Sequence, residues 1–149
     1  MASGEETEPR FNEVLNQEFP SVLESVDAAE AEVLKAAEKS GFDEDSRHDI
    51  SMAFRECMVN AVVHGNKYNR KKTVRIRIET GDAFRISVLD QGEGFEVHEV
   101  PDPLQDNNLL RHSGRGLFLM GAFMDDVKVH KADPIGTEVV LTKKIPPRT

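Results

Sequence analysis

Hydrophobic residues recur with a helical period in two stretches of the chain. After Ser21 they return every three or four positions until Ser40-Gly41, which is typical of an amphipathic helix that ends at a glycine. A second helix is predicted to begin after Asp43 or Asp45 and to stop at His64-Gly65. The two helices are predicted to cover one side of a sheet.

Other stretches alternate between polar and apolar residues, which predicts strands. The clearest are Thr73–Thr80 and Ala83–Asp90, separated by Gly81-Asp82 as a two-residue hairpin turn. Weaker signals predict an opening edge strand and two closing strands, at Arg10–Phe19 before Pro20, Asp126–His130 and Thr137–Lys143. Because each hairpin strand has one polar and one apolar side, the predicted fold is an α+β two-layer sandwich. Its sheet would be mixed and mostly antiparallel, with the helices on one face.

Composition narrows the classes of function. The 149 residues suit one domain, expected over residues 10–145 between a disordered tail at 1–9 and a short tail at 146–149. With 19 Lys+Arg against 27 Asp+Glu, the net charge of -8 argues against direct binding to nucleic acid. Cys57 is the only cysteine, and no apolar run has the length of a membrane span or a signal sequence. A cytoplasmic protein is therefore expected.

The second helix carries the first candidate chemistry. Glu56 and Asn60 lie four residues apart and project from one face, at the edge of the apolar stripe. Burying a carboxylate or an amide without a partner costs roughly a few kcal/mol. A Mg²⁺ ion with its waters and phosphates would supply partners, but the same pair also fits a polar helix flank that meets solvent.

Two glycine segments follow. Asp90 is followed by Gly92 and Gly94, which let the backbone approach a flat ligand, although a turn needs no ligand. Gly114-Arg115-Gly116 opens an apolar helix predicted to reach Met124, and free N–H groups at a helix start bind phosphates, although the same glycines suit a hinge. The polar stretch Glu96–Ser113 between them has a length that is usually functional or disordered.

In their order and spacing, these motifs resemble the GHKL ATPase domain, which has the Bergerat fold and a lid loop over ATP. The N box, the two G boxes and the closing Gly-Thr of that superfamily match Glu56 with Asn60, Asp90 with Gly92 and Gly94, Gly114 with Gly116, and Gly136 with Thr137. Within it, the segments 60–66, 113–120 and 123–127 resemble the anti-sigma-factor serine-protein kinases of the RsbW type. The resemblance extends over about residues 10–145.

The resemblance implies ATP and Mg²⁺ as ligands and gives the motif residues roles. Asn60 would ligate Mg²⁺, Glu56 would be the general base that takes the proton of the attacking serine, and Asp90 would accept from the adenine amino group. Thr137 would support the adenine contact, and Gly92 and Gly94 would bring the backbone against the adenine. The phosphates would be bound by Gly114, Arg115 (or Arg111) and Gly116. His64 and Asn66 match the family phrase without an assigned role.

The resemblance also implies partners. These are a sigma factor that is sequestered and a small STAS-domain antagonist whose serine is phosphorylated, and a homodimer is common in the family. The alternative is a nucleotide-binding partner-switching module that sequesters a regulatory protein without phosphoryl transfer. A histidine kinase catalytic domain is disfavoured because no helix pair with a phosphoacceptor histidine precedes the motifs, and a topoisomerase or chaperone ATPase is disfavoured by length. The stretch Glu96–Ser113 is expected to close over the nucleotide as a lid.

Overall fold

The computed structural model describes residues 11–92 and 120–147. In these ranges the strands are β1 (Phe11–Pro20), β2 (Thr73–Gly81), β3 (Ala83–Leu89), β4 (Asp126–Lys131) and β5 (Thr137–Lys144). The helices are α1 (Glu24–Lys39) and α2 (Glu44–Val59), and α2 continues directly into the π-helical segment Asn60–Gly65. The predicted helices and strands are confirmed, with small differences at their ends.

The five strands form one sheet in the order β1-β2-β3-β5-β4. Each neighbouring pair in this part of the chain is antiparallel, which agrees with the predicted mostly antiparallel sheet, and β1 is the edge strand that the sequence predicts. The order places β3 beside β5, although β4 comes between them in the sequence. This pairing brings the end of β3 next to the start of β5.

The hairpin of β2 and β3 closes less tightly than predicted. Thr80 and Phe84 are the last residues that pair with each other, whereas Gly81 and Ala83 pair outward, with Phe11 of β1 and Lys144 of β5. The reason is that Gly81 extends β2 opposite Phe11 of the edge strand, and the chain turns only after it.

The hydrophobic core lies between the sheet and the two helices. Alternate residues of the hairpin strands are buried in the same core as the inward residues of α2, which are Ile50, Phe54 and Met58. Phe84 also meets Phe42 edge to face, with ring centroids 5.4 Å apart. Burying one such side chain contributes about 1.5–3 kcal/mol, so this layer fixes the position of α2 on the sheet.

The opposite face of the sheet is polar. Arg77 lies between Glu13 of β1 and Glu79 of its own strand, with N···O distances of 3.1 and 3.3 Å, and Arg85 of β3 pairs with Glu79 at 2.9 Å. Exposed pairs of this kind contribute only about 0–1 kcal/mol each. They show that this face meets water, whereas the helices cover the other face.

Helix ends follow local chemistry. Asp43, and not Asp45, caps α2, because its side chain accepts a hydrogen bond of 2.8 Å from the backbone N–H of Ser46. Gly41, after the end of α1, has a φ of +97°, a left-handed conformation that favours glycine. The π-helical continuation of α2 was not predicted, since α-helical geometry was expected up to Gly65.

Residues 120–123 are helical, and Met120 and Met124 are buried in the core. They form the end of the predicted apolar helix, whose beginning lies outside the described residues. Within the described part of the chain, no helix has the length and apolar character needed to cross a membrane.

Candidate functional site

The Asp90 carboxylate is the centre of the site. Asp90 follows the last residue of β3, is only 6% exposed, and is fixed by backbone donors on both sides. Its Oδ1 accepts hydrogen bonds from the N–H of Gly92 at 3.0 Å and of Thr137 at 3.1 Å. The Asp90 N–H in turn donates to the carbonyl of Thr137 at 3.0 Å. The first G box and the closing Gly-Thr are therefore joined directly, and Oδ2 makes no hydrogen bond to another described residue.

Three glycines allow this carboxylate to be enclosed. A Cβ at Gly65 would overlap Oδ2 of Asp90, and a Cβ at Gly92 would overlap the carbonyl oxygen of Gly65. A Cβ at Gly136, where φ is +111°, would overlap the carbonyl oxygen of Asp90. The end of α2, the turn after β3 and the start of β5 can approach this closely only because the side chains are absent.

Thr137 holds an unpaired polar atom beside Asp90. The residue is 3% exposed, and its Oγ1 has no hydrogen-bond partner among the residues that the structure describes. A buried hydroxyl without a partner costs about 1–3 kcal/mol, so native proteins rarely keep one without a reason. A ligand with a hydrogen-bonding group at this position would satisfy it.

The electrostatics of the site reflect its burial. Burial raises the pKa of Asp90, while the N–H groups of Gly92 and Thr137 and the charge of Lys72 act in the opposite direction. The fully buried Cys57 thiol has its pKa raised by desolvation first, and then by the negative charges of Asp90 and Glu56. Asp90 therefore lies within electrostatic range of the thiol that follows Glu56 on α2.

Glu56 lies on the last turn of α2, and Asn60 is the first residue of the π-helical segment that continues it; both residues are half-buried. Neither side chain makes a hydrogen bond to another described residue, so a carboxylate and an amide oxygen are available on this helix. These groups could hold a Mg²⁺ ion together with ligand phosphates, because Mg²⁺ takes one or two protein oxygens and leaves its other positions to water and phosphate.

A polar cleft borders the other side of Gly65. It has a volume of about 360 Å³ and is lined by Gly65, Asn66, Lys67, Asn69 and Lys72. Its two lysines place positive charge near Asp90, in agreement with the effect of Lys72 on that carboxylate. This side of the site therefore favours an anionic ligand.

The structure brings together Asp90, Gly92 and Thr137, and it places Glu56 and Asn60 on the helix whose last residue, Gly65, packs against Asp90. The other predicted site residues, together with the stretch Glu96–Ser113, lie outside the described ranges: Gly94, Arg111, Gly114, Arg115 and Gly116. Their roles stay predictions.

Sequence reasoning missed the contribution of Gly65 and Asn66. Gly65 was interpreted only as the end of a helix, although it is the surface on which the Asp90 carboxylate packs. Asn66 is 1% exposed and bonds to three other segments of the chain. The local sequence held no signal for this role, because asparagine is common in turns and loops whether or not its side chain is buried.

Comparison with known proteins defines the class. A family model described as a histidine kinase-like ATPase domain matches residues 19–143, and the chain belongs to this family. The match covers every motif on which the sequence resemblance depends, from Glu56 to Thr137.

The relatives narrow the class to the RsbW type. The chain is 31% identical over 140 residues to the serine-protein kinase RsbW of Oceanobacillus iheyensis, covering 88% of this chain and 86% of that relative. It is 34% identical over 100 residues to an anti-sigma F factor of Clostridium perfringens, covering 65% of this chain and 71% of the relative. The resemblance to the RsbW type is thereby confirmed.

A solved structure supports the fold. The crystal structure of the RsbU and RsbW domains of Rv1364c from Mycobacterium tuberculosis superposes with a TM-score of 0.62 at 18% identity. The superposition covers 88% of this chain, which spans 31% of the solved chain. The two-layer α+β sandwich is therefore shared with a known domain.

Proposed function

We propose that the chain is an ATP-dependent protein-serine kinase that sequesters a sigma factor in the cytoplasm and phosphorylates a serine of a STAS-domain partner. The main observation behind the proposal is that the Asp90 carboxylate is enclosed by close backbone approaches at three glycines. It lies beside the Thr137 hydroxyl, which has no partner among the described residues. A fixed acceptor next to a free hydroxyl suits the amino group and ring nitrogens of adenine. The relatives named serine-protein kinase RsbW and anti-sigma F factor support the reaction and the partners.

In this proposal the base binds at Asp90. Oδ1 is occupied by two backbone donors, so Oδ2 has lone pairs for the adenine amino group. The Thr137 hydroxyl adds a bond to the ring, directly or through a water molecule, and Gly92 leaves room for the flat base. Burial strengthens these bonds because little water competes for the same groups.

The phosphates would lie along α2. The amide oxygen of Asn60 would hold Mg²⁺, which neutralises phosphate charge when it is bound. Glu56 would accept the proton of the serine hydroxyl as the serine Oγ bonds to the γ-phosphorus and the bond to the leaving oxygen of ADP breaks. The N–H groups of residues 114–116 would bind phosphate oxygens.

Two substitutions on α2 test the proposal. Calorimetric titration with ATP and Mg²⁺ should show saturable binding, and Asn60→Ala should remove the part of the affinity that depends on Mg²⁺. Glu56→Gln should bind ATP like the unmodified protein but transfer phosphate to a STAS-domain protein at least about 10²-fold more slowly. Glu44→Gln, at an exposed position in the first turn of the same helix, is the matched control and should change neither property.

The outcomes separate the candidate functions. Unchanged phosphoryl transfer by Glu56→Gln would refute the role of Glu56 as the base. Saturable ATP binding and capture of a sigma factor, without transfer to any STAS-domain substrate, would instead support the partner-switching module. Failure of the folded protein to bind ATP would refute both.

A further inference from the structure

Asn66 is a buried polar side chain with every strong hydrogen-bonding group engaged. Its Nδ2 donates to the Ser21 hydroxyl at 2.8 Å and to the Thr73 carbonyl at 2.9 Å. Its Oδ1 accepts from the backbone N–H of Gln91 at 2.7 Å. One side chain therefore joins the segment after β1, the start of β2 and the turn that directly follows Asp90.

The π-helical segment places Asn66 at this junction. The Asn66 N–H donates to the carbonyl of Ala61, five residues earlier, at 2.8 Å. The wider turn of a π-helix changes the direction in which the residues after Asn60 point, compared with a continued α-helix. As a result, Gly65 faces the Asp90 carboxylate, while the Asn66 side chain points into the protein.

Two further bonds close the network. The Ser21 hydroxyl donates to the carbonyl of Lys72 at 2.7 Å, and the Thr73 N–H donates to Oε1 of Gln91 at 2.7 Å. Gln91 is thus held through its backbone by Asn66 and through its side chain by β2. The Gln91 backbone sits between Asp90 and Gly92, the two residues joined by the bond to Oδ1.

We infer that Asn66 is a positioning residue for base selection. It holds the turn of residues 90–92 against the end of the helix, and this fixes the Asp90 carboxylate in the position from which it would accept a hydrogen bond from an exocyclic amino group. The inference rests on the proposed function, since it takes Asp90 as the base-binding residue. Asn66 itself does not touch the base. Its loss would leave the Gln91 N–H unpaired and let the turn move, and this would weaken recognition of the amino group more than binding of the phosphates.

The test compares ADP with IDP, whose base carries a carbonyl in place of the amino group. The affinities of both are measured by calorimetry with Mg²⁺. The unmodified protein should prefer ADP, and Asn66→Ala should reduce this preference about tenfold, as expected for one lost or misplaced hydrogen bond. Ser21→Ala removes a different bond of the same network, so it should lower stability but keep the preference. Asn12→Ala, at an exposed position of β1 on the opposite end of that strand from Ser21, should change neither.

Each outcome has a separate meaning. No preference for ADP in the unmodified protein would overturn the base site at Asp90, and with it the proposed function. A preference that survives Asn66→Ala would overturn only the role of Asn66. An equal loss of the preference for ADP in Ser21→Ala and Asn66→Ala would also overturn the inference, because Asn66 would then act only through general structural support.

A measurement on the unmodified protein covers the case in which Asn66→Ala does not fold. Hydrogen exchange of the Gln91 amide, followed by NMR, should already be slow in the nucleotide-free protein and should change little when ADP binds. Fast exchange in the free protein would mean that Asn66 does not hold the turn in advance, and would overturn the inference.

Discussion

Thr137→Val should make the nucleotide-free protein more stable and, at the same time, a poorer nucleotide binder. Oγ1 of Thr137 is buried without a hydrogen-bond partner in the described part of the chain, an arrangement that costs about 1–3 kcal/mol. Valine removes the hydroxyl and keeps nearly the same shape. The free energy of unfolding should therefore rise by about 1 kcal/mol or more, which corresponds to an increase of about 2–4 °C in Tm for a domain of this size.

The change in binding should have the opposite sign. If the hydroxyl bonds to adenine or to a bridging water, its removal costs about 1 kcal/mol, or roughly a fivefold to tenfold weaker affinity for ADP. Urea unfolding without nucleotide, followed by circular dichroism, gives the first quantity, and calorimetric titration with ADP gives the second. Most substitutions at a binding site lower both stability and affinity. A gain in unfolding free energy together with a loss of ADP affinity would therefore identify a hydroxyl that lacks a partner in the free protein and bonds to the ligand.

Thr142→Val is the matched control. Thr142 lies on the same strand, is half-exposed, and pairs with Arg85 on the polar face of the sheet. It should alter stability by less than about 0.5 kcal/mol and leave the affinity for ADP unchanged. A Thr137→Val protein that is less stable and binds ADP normally would refute the reasoning, because the hydroxyl would then have a partner in the free protein and no part in binding.

Two further predictions concern the surroundings of Asp90. A Cβ at Gly92 would overlap rigid backbone, whereas a Cβ at Gly65 would meet the movable end of the Asp90 side chain. Gly92→Ala should therefore lower the free energy of unfolding by about 1–3 kcal/mol, and Gly65→Ala should cost less stability but weaken ADP binding. Gly121→Ala, with no atom within 4 Å of its Cβ, is the control, and the reverse order of stabilities in urea would contradict the argument. Because burial raises the pKa of Asp90 above its ordinary value of 3.8, the native state binds more protons than the unfolded chain between these two values. The contribution of Asp90 to unfolding free energy should thus fall as pH rises through this window, while adenosine affinity rises because the carboxylate accepts the amino hydrogen. Asp90→Asn should remove both slopes, and a variant whose pH profiles match those of the unmodified protein would contradict the assignment.

Much of the fold could be predicted because each strand or helix has one side in the core and one side in water. Its apolar residues therefore recur at the period of that element. The alternation in Thr73–Thr80 places Val74, Ile76 and Ile78 in the core, and the structure buries these three residues completely. The same physics fixes the polar face, where the intervening arginines find carboxylates on β1. The π-helical segment could not be predicted in this way, because a change of one residue in hydrogen-bond spacing over six residues hardly alters the apolar pattern.

The candidate site was predictable only in part, for a related reason. The motif residues were found by their order along the chain, but nothing local shows that Asp90 and Thr137 share a hydrogen bond. That contact depends on the pairing of β3 with β5, in which Leu89 lies opposite Glu138. Strand register is a property of the assembled sheet, so a backbone N–H and a carboxylate 47 residues apart meet only after the fold is complete.

In the proposed function, α2 and its π-helical continuation serve two parts of the nucleotide. Glu56 near the end of α2 and Asn60 at the start of the π-helical segment are the groups suited to proton transfer and to a metal ion. The π-helical segment presents Gly65 to Asp90 and sends Asn66 into the protein, where the groups suited to the base are held. A helix that stayed regular would point its last turn in another direction, and the close contact with Asp90 depends on that direction. The π-helical segment therefore lies beside the proposed base site, in agreement with the frequent occurrence of π-helical turns at functional sites.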